Sequence, residues 1–255
     1  MRFYHAKKED TERSYPCACE PWGIFGTEAL ETSRAWLGDC LGARYESFQA
    51  EDDEGNVVGE ILWIWSENSL GRMRTEPRVA IISCVWVKTQ NQKKGVWKGM
   101  LKALSESLMS QGAKGVLAPA TDYQGYMHRN HFQKAGFAVL GEHEGTVVMF
   151  YPLNQESVEY SFAEEHVPPG PDDKVTIHIF RNLLCPVASE LFTRLERIAK
   201  EFGDRVQVIR VESDRETLEK YGTAGGLYIN GKQRFVLPND DDVIRNLLKE
   251  EVEKL

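Results

Sequence analysis

The stretch "VKTQNQKKGVWKGMLKAL", residues 87–104, decides how this chain is read. It grows out of "RVAIISCVWV" (78–87), an almost unbroken apolar run of strand-forming residues, the pattern of a strand covered on both faces and therefore central in its sheet. Beyond Gly95, the residues Trp97, Leu101, Leu104 and Leu108 recur at helical spacing until Gly112 ends the run. A core strand, a glycine turn and a helix start form an anion site from backbone alone. The first amides of a helix have no partner within it, and the helix dipole points the same way. Lys93, Lys94 and Lys98 stand where further positive charge would favour a diphosphate or a 3′-phosphate.

Charge is distributed to match. The chain carries a net charge of −8, yet Pro77 to Ser105 holds Arg78, Lys88, Lys93, Lys94, Lys98 and Lys102 with no acidic residue. The net charge argues against a general nucleic-acid binder, and the small cationic island reads either as a solvated helix face or as the setting for a compact anionic ligand. No apolar run is long enough for a membrane span, and "MRFYHAKKEDTERSY" at the start lacks the apolar core of a signal peptide, so a cytoplasmic protein without a membrane partner is expected. Five cysteines without framework spacing imply reduced thiols. Cys17 and Cys19, with Cys40 later, lack a fourth ligand for a tetrahedral metal site; no metal is expected, and the 17–19 segment reads as a substrate-facing loop.

Working outward, residues 44–52 and 57–66 read as a hairpin closed by the turn Asp53-Glu54-Gly55-Asn56. "GTEALETSRAWLGDCLG" (26–42) is an amphipathic helix opening at Thr27. After the 96–110 helix come a strand from Gly115, a short helix around 124–135 and a closing strand pair. Pro168, Pro169, Gly170 and Pro171 mark an irregular linker. A strand "KVTIHIF", a long amphipathic helix, "RVQVIRV", "GLYING", "KQRFVL" and a charged terminal helix follow. The chain is therefore read as α/β (α+β) with domains at 1–157 and 174–255 joined by a linker at 158–173.

Val87, Gln92 and Gly95 fall in register with the acetyl-CoA motif of the GNAT N-acetyltransferases, and "HFQKAGF" (131–137) is similar to that family's later segment. "PCACE", "AWLGDCL", "SCVWVKTQNQKKG" and the C-terminal unit resemble the YoaP-like branch, in which a GNAT domain precedes a small thioredoxin-like domain. The resemblance implies acetyl-CoA as co-substrate. Its pantetheine would pair with backbone at Val85, Trp86 and Val87, its pyrophosphate would lie on the amides of Gln92, Lys93, Lys94, Gly95, Val96 and Trp97 beside Lys98, and its sulfur would lie where the strands of Val85 and Leu117 part. Direct transfer to a small-molecule or peptide amine would rest on positioning, a polarised thioester carbonyl and a base. Glu60, Tyr126, His128 and His131 are the candidates for proton work, against the plain reading of Glu60 as a solvent-facing hairpin residue. Trp97 stands where the family has Gly or Ala, and Phe132 where it commonly has the Tyr that protonates the leaving thiolate.

"VTIHIFRNLLCPVASELF" resembles the start of glutaredoxins and thioredoxins, but Ala188 replaces the resolving cysteine and Gly225 the usual cis-proline. Dithiol exchange is excluded; a degenerate module aiding substrate binding or assembly is expected, with Cys185 as a candidate single thiol. Two further readings stay open: a non-catalytic CoA-binding sensor, and a monothiol redox protein using Cys185. Homo-oligomer formation is also left open.

Overall fold

The computed structural model describes residues 1–20, 25–123, 126–234 and 240–255. In chain order these form β1 (Arg2–His5), α1 (Thr27–Cys40), β2 (Tyr45–Glu51), β3 (Val57–Trp65), β4 (Met73–Thr75), β5 (Val79–Val87), α2 (Val96–Ser110), β6 (Gly115–Ala120), α3 (Arg129–Lys134), β7 (Ala138–His143), β8 (Thr146–Pro152), β9 (Tyr160–Phe162), β10 (Val175–Arg181), α4 (Pro186–Ala199), β11 (Val206–Glu212), α5 (Arg215–Tyr221), β12 (Gly226–Ile229), β13 (Lys232–Arg234) and α6 (Asp241–Val252). The architecture is mixed α/β. Among the described residues the chain divides into two compact units, the first of 1–20, Leu37–Ser69 and Met73–Phe162, the second of 25–36, Leu70–Arg72 and Ala163–Leu255.

The first unit is built on a seven-stranded sheet in the order β1-β2-β3-β5-β6-β8-β7. β5 is the middle strand, as its apolar run predicts. Every pairing is antiparallel except β5 with β6, which are parallel and joined through α2. One face is apolar: Val96, Met100, Leu101, Leu104 and Leu108 of α2 pack on Phe48, Ala50, Val58, Ile61, Trp63, Ala80, Ile82, Val116 and Ala118. Each such aliphatic side chain buried contributes about 1.5–3 kcal/mol, so this helix face holds the sheet together. Gly59 and Gly99 allow the close approach, since a Cβ at Gly99 would lie 2.5 Å from the Phe3 ring and one at Gly59 2.9 Å from Met100.

The opposite face carries Ser47, Gln49 and Glu60, covered by residues 8–20, which make two short 3-10 turns at Lys8–Arg13 and Pro16–Cys19. Three short strands went unforeseen. β1 adds to β2, while β4 and β9 pair with each other, so the expected irregular linker at 158–173 contains a strand at Tyr160–Phe162. Strands this short carry too little periodicity to register; pairing partners distant in sequence create them.

The second unit has a four-stranded sheet, β11-β10-β12-β13, with β10 parallel to β11 and antiparallel to β12. Its core is Val175, Ile177 and Ile179 against Leu191, Phe192, Leu195 and Ile198 of α4 and Ile244 and Leu248 of α6. α5 is a further addition, opened by Asp214, whose side chain accepts from the Thr217 amide at 2.8 Å. Ser33 of α1 lies 2.9 Å from Ser189 of α4 through their hydroxyls, and the Gly26 amide donates to Glu190 at 3.1 Å. Of "KQRFVL", residues 235–237 lie outside the described residues, as do 124 and 125 at the start of the short helix expected around 124–135.

Candidate functional site

Two features of β5 make the site. The first is an open edge. β5 pairs with β6 only from Val79 to Ile81, whereas β6 stays paired with β8 along its whole length. A register shift between Leu62 and Trp63 of β3 leaves Ser83 as an extra residue on β5, a bulge that bends the strand at the point where β6 departs. Residues 79–82 are buried and 83–87 half-buried accordingly. The expected parting of the Val85 and Leu117 strands is present.

Which backbone groups face that opening follows from the antiparallel ladder. The Lys88 amide donates to the Val58 carbonyl at 2.9 Å, so Val58 and Lys88 form a hydrogen-bonded pair. Alternation then turns the N–H and C=O of Val87 and Val85 away from β3, towards the side β6 has left. The Val87 carbonyl is met there by the Gln92 side chain at 3.0 Å. Trp86 lies between them with its side chain on the other face.

The second feature is the turn into α2. Gly95 caps the helix in the left-handed region (φ +81°), with Lys93 also left-handed at φ +60°. Gly95 accepts from Gly99 as the first helical bond, and no partner is recorded among the described residues for the amides from Lys93 to Lys98. Gln92, Lys93, Lys94, Gly95 and Lys98 are exposed, while Val96 is buried beneath the turn. Asn91 Oδ1 is buried without a partner among the described residues, an acceptor in the same loop. Open amides, an orphaned acceptor and a lysine fringe fit a phosphate-bearing carrier that also has amide groups.

Trp97 does not lie across these amides. Its ring stands edge-on to Phe132 of α3 at 5.9 Å, and its Nε1 donates to the His131 carbonyl at 3.4 Å. Phe132 is itself buried, edge-on to Phe137 at 5.2 Å, and offers no proton.

The four candidate proton-transfer residues are separated by their surroundings. Glu60, expected either at solvent or as a base, is 3% exposed and fully engaged. It accepts from the Tyr15 amide at 2.7 Å, Ser47 Oγ at 2.7 Å and Gln49 Nε2 at 3.1 Å. Gln49 is oriented in turn by Tyr4, whose hydroxyl donates to its Oε1 at 2.9 Å and receives Arg13. Tyr15 is held at φ +66°, a conformation costing on the order of 1–3 kcal/mol that the Glu60 bond helps to maintain. Nothing in the local sequence near Glu60 signals this role.

His128 is buried and opens α3, its Nδ1 accepting from the Asn130 amide at 3.2 Å, so in the neutral ring the proton sits on Nε2. His131, 6.2 Å from it ring to ring, is exposed; partial burial pushes its imidazole below the ordinary histidine range, and charge at His128 and Lys134 adds to this. Tyr126 is exposed, with its carbonyl taken by Thr121.

Sequence reading missed Glu20. Its Oε1 accepts from the Thr89 amide at 2.6 Å and from Trp86 Nε1 at 3.3 Å. Burial alone would raise this carboxyl, but those bonds and the charge of Lys88 hold it below the usual carboxylate range. Cys17 is half-exposed in the Pro16–Cys19 turn, over β3 and β5; the Cys19 side chain lies outside what is described.

In the second unit Cys185 caps α4, with Pro186 first in the helix. Burial pushes its thiol up, more than the amides of Ala188 and Val187 lower it. A reactive thiol needs the reverse. A cleft of about 250 Å³ lined by Glu28, Thr32, Arg181, Ser189, Glu190 and Arg210, among others, also belongs to this unit. Among the described residues no group of three or more His, Cys, Asp or Glu could hold a metal, and no helix is long and apolar enough to cross a membrane.

No family model matches the chain, and no curated protein matches it. Solved structures do. AAC(6')-Iy in complex with a bisubstrate analog, CoA-S-monomethyl-acetylneamine, is 15% identical, with 56% of this chain and 93% of that chain covered at a TM-score of 0.44. The GNAT family N-acetyltransferase YhbS from Escherichia coli in complex with CoA is 15% identical over 60% of this chain and 81% of that chain, TM-score 0.44. The PaiA N-acetyltransferase from Thermoplasma acidophilum in complex with coenzyme A is 16% identical over 60% and 99%, TM-score 0.42.

Proposed function

We propose that this chain is an acetyl-CoA-dependent N-acetyltransferase of the GNAT type, transferring acetyl directly to a small-molecule or peptide amine. The observation that carries the reading is the continuity of one edge: Val85 and Val87 turn backbone groups outward, the Val87 carbonyl being met by Gln92, and that edge leads through Thr89 to the open amides of residues 93–98. A pantetheine arm would be received as an extra strand along Val85–Val87 and a diphosphate on the amides, with Lys93, Lys94 and Lys98 as charge fringe. Bound there, acetyl-CoA supplies an activated acetyl group and a thiolate leaving group.

The protein's own part is to align the amine with the carbonyl, to exclude water and to accept the proton that the amine loses. Of the four candidates we assign that proton to His131, whose exposed imidazole is held below the ordinary histidine range by partial burial and by charge at His128 and Lys134. Glu60 has both oxygens committed, and His128 has Nδ1 committed. Phe132 can give the departing sulfur no proton, so the thiolate would leave unassisted. In sequence terms the transferase domain spans 1–157 and a YoaP-like, thioredoxin-like domain 174–255, joined by 158–173. The parallel crossover from β10 through α4 to β11 supports the second assignment, and the raised Cys185 thiol supports a binding or assembly role over redox chemistry.

Calorimetry with acetyl-CoA, followed by release of free CoA thiol across an amine panel, tests the reading. Binding together with amine-dependent thiol release is expected. Binding without release on any amine would replace the enzyme with a CoA-binding sensor, a reading that Phe132 favours; no binding would end both. Cys185→Ser is expected to leave turnover unchanged.

A further inference from the structure

The carboxylate of Glu20 occupies a position that the proposed function leaves unexplained. Along the open edge of β5 the outward-facing groups come in order: the Val85 pair, the Val87 pair, then the Thr89 amide, because Lys88 is turned towards β3. The Val87 carbonyl is satisfied by Gln92 and the Thr89 amide by Glu20 Oε1, which also takes the indole N–H of Trp86. Thr89 lies between the strand portion that would receive a pantetheine arm and the amides that would receive its phosphates. A negative charge belonging to the chain itself is therefore seated on the path of an anionic ligand.

Its mounting suits displacement. Residues 15–20 cross β3 and β5, and carboxylates grip at either end: Glu60 holds the Tyr15 amide in the buried interior, and Glu20 holds Thr89 from a half-exposed position. The inner fastening has a carboxylate with three donors inside the protein. The outer one differs by its exposure: the Thr89 amide and the Trp86 indole share one oxygen, the Thr89 hydroxyl also bonds the carboxylate, Lys88 adds its charge, and Thr89 itself is exposed, so water and a phosphate can both compete for it.

We propose that Glu20 is a built-in competitor for the phosphate-bearing end of the carrier, holding the Thr89 amide and Trp86 indole in the free protein and yielding them when the carrier binds. This rests on the acetyl-CoA reading above. Removing the charge while keeping an acceptor of the same shape isolates the effect, because like charges oppose each other along this edge whatever the rest of the ligand does.

The test is calorimetry of CoA and of pantetheine, which lacks every phosphate, on the full chain, its Glu20→Gln variant and Glu54→Gln, a control at the exposed hairpin turn. The expected result is CoA binding about fivefold tighter to Glu20→Gln, with pantetheine affinity unchanged and Glu54→Gln like the parent. Unchanged or weaker CoA binding by Glu20→Gln, an equal gain for pantetheine, or the same gain in Glu54→Gln would overturn it while leaving the transferase reading intact. If the parent and Glu20→Gln both fail to bind CoA, both readings fall; binding by Glu20→Gln alone would uphold the competitor. Matching far-ultraviolet circular dichroism and urea midpoints establish that the variants are folded. Should Glu20→Gln unfold, Glu20→Asp, which draws the charge back from Thr89 by one methylene, is expected to tighten CoA in the same direction, and failure to do so would overturn the proposal.

Discussion

Glu60 accepts the Tyr15 backbone N–H at 2.7 Å across 45 residues of sequence, and with Ser47 and Gln49 this bond commits both oxygens of a candidate catalytic carboxylate. Removing it would strand three donors in the interior. Glu60→Ala is expected to lower stability by about 3 kcal/mol, since each unsatisfied buried donor costs on the order of 1–3 kcal/mol. Glu60→Gln costs less, but its amide must point a donor at another donor. A urea titration checks both. The folded fraction of Glu60→Gln should keep its kcat, whereas a general base would lose turnover with stability intact.

Gly95 sits at φ +81° with open space where a Cβ would go. Gly95→Ala therefore pays only conformational strain, about 1–2 kcal/mol, and CoA affinity survives. Gly95→Asp adds a carboxylate against the diphosphate and is expected to weaken CoA at least about tenfold. Calorimetry and chemical denaturation run side by side separate the two effects.

Gly99 is demanded by contact and not by backbone angle. A Cβ there would lie 2.5 Å from the Phe3 ring. Overpacking costs about 1–3 kcal/mol while alanine in a helix interior gains about 1 kcal/mol over glycine. Gly99→Ala alone should thus lose on the order of 1 kcal/mol, and combined with Phe3→Leu it should become neutral or stabilising. A double-mutant cycle on thermal denaturation measures the coupling.

His178 is buried on β10 beside the rings of Phe180 and Tyr221, and its Nδ1 has no partner among the described residues. Burial lowers its imidazole below the ordinary histidine range. The folded state then binds fewer protons than the unfolded chain, so stability is constant above the ordinary histidine value and falls as pH drops below it. His178→Phe should flatten that acid slope in a Tm series from neutral to mildly acidic pH. An unchanged slope would assign it to His5 and His131, which are also lowered.

Much of the first unit was legible because its signals are local. The hairpin at 45–65 is rich in strand formers and closes on turn residues, β5 is an apolar run, and α2 declares itself through Leu101, Leu104 and Leu108. What the sequence concealed falls into two kinds. β1, β4 and β9 are short strands made by their partners, and α5 is seven residues long. Glu60, Glu20 and Gly99 are single residues whose meaning depends on a distant neighbour, and no periodicity encodes a neighbour.

By itself the sequence determined the turn that we propose accepts an anion: a central strand, a glycine compelled into the left-handed region, and lysines on either side of the helix start all lie within residues 78–98, where local sterics and charge suffice. Only the tertiary structure decided how that turn is used. The departure of β6 after Ile81 opens the strand edge, and carboxylates brought from residues 20 and 60 fasten a strap across the sheet. Those choices rest on pairings between chain segments far apart in sequence, whose free energy comes from burial and hydrogen bonds that exist only once the sheet has closed.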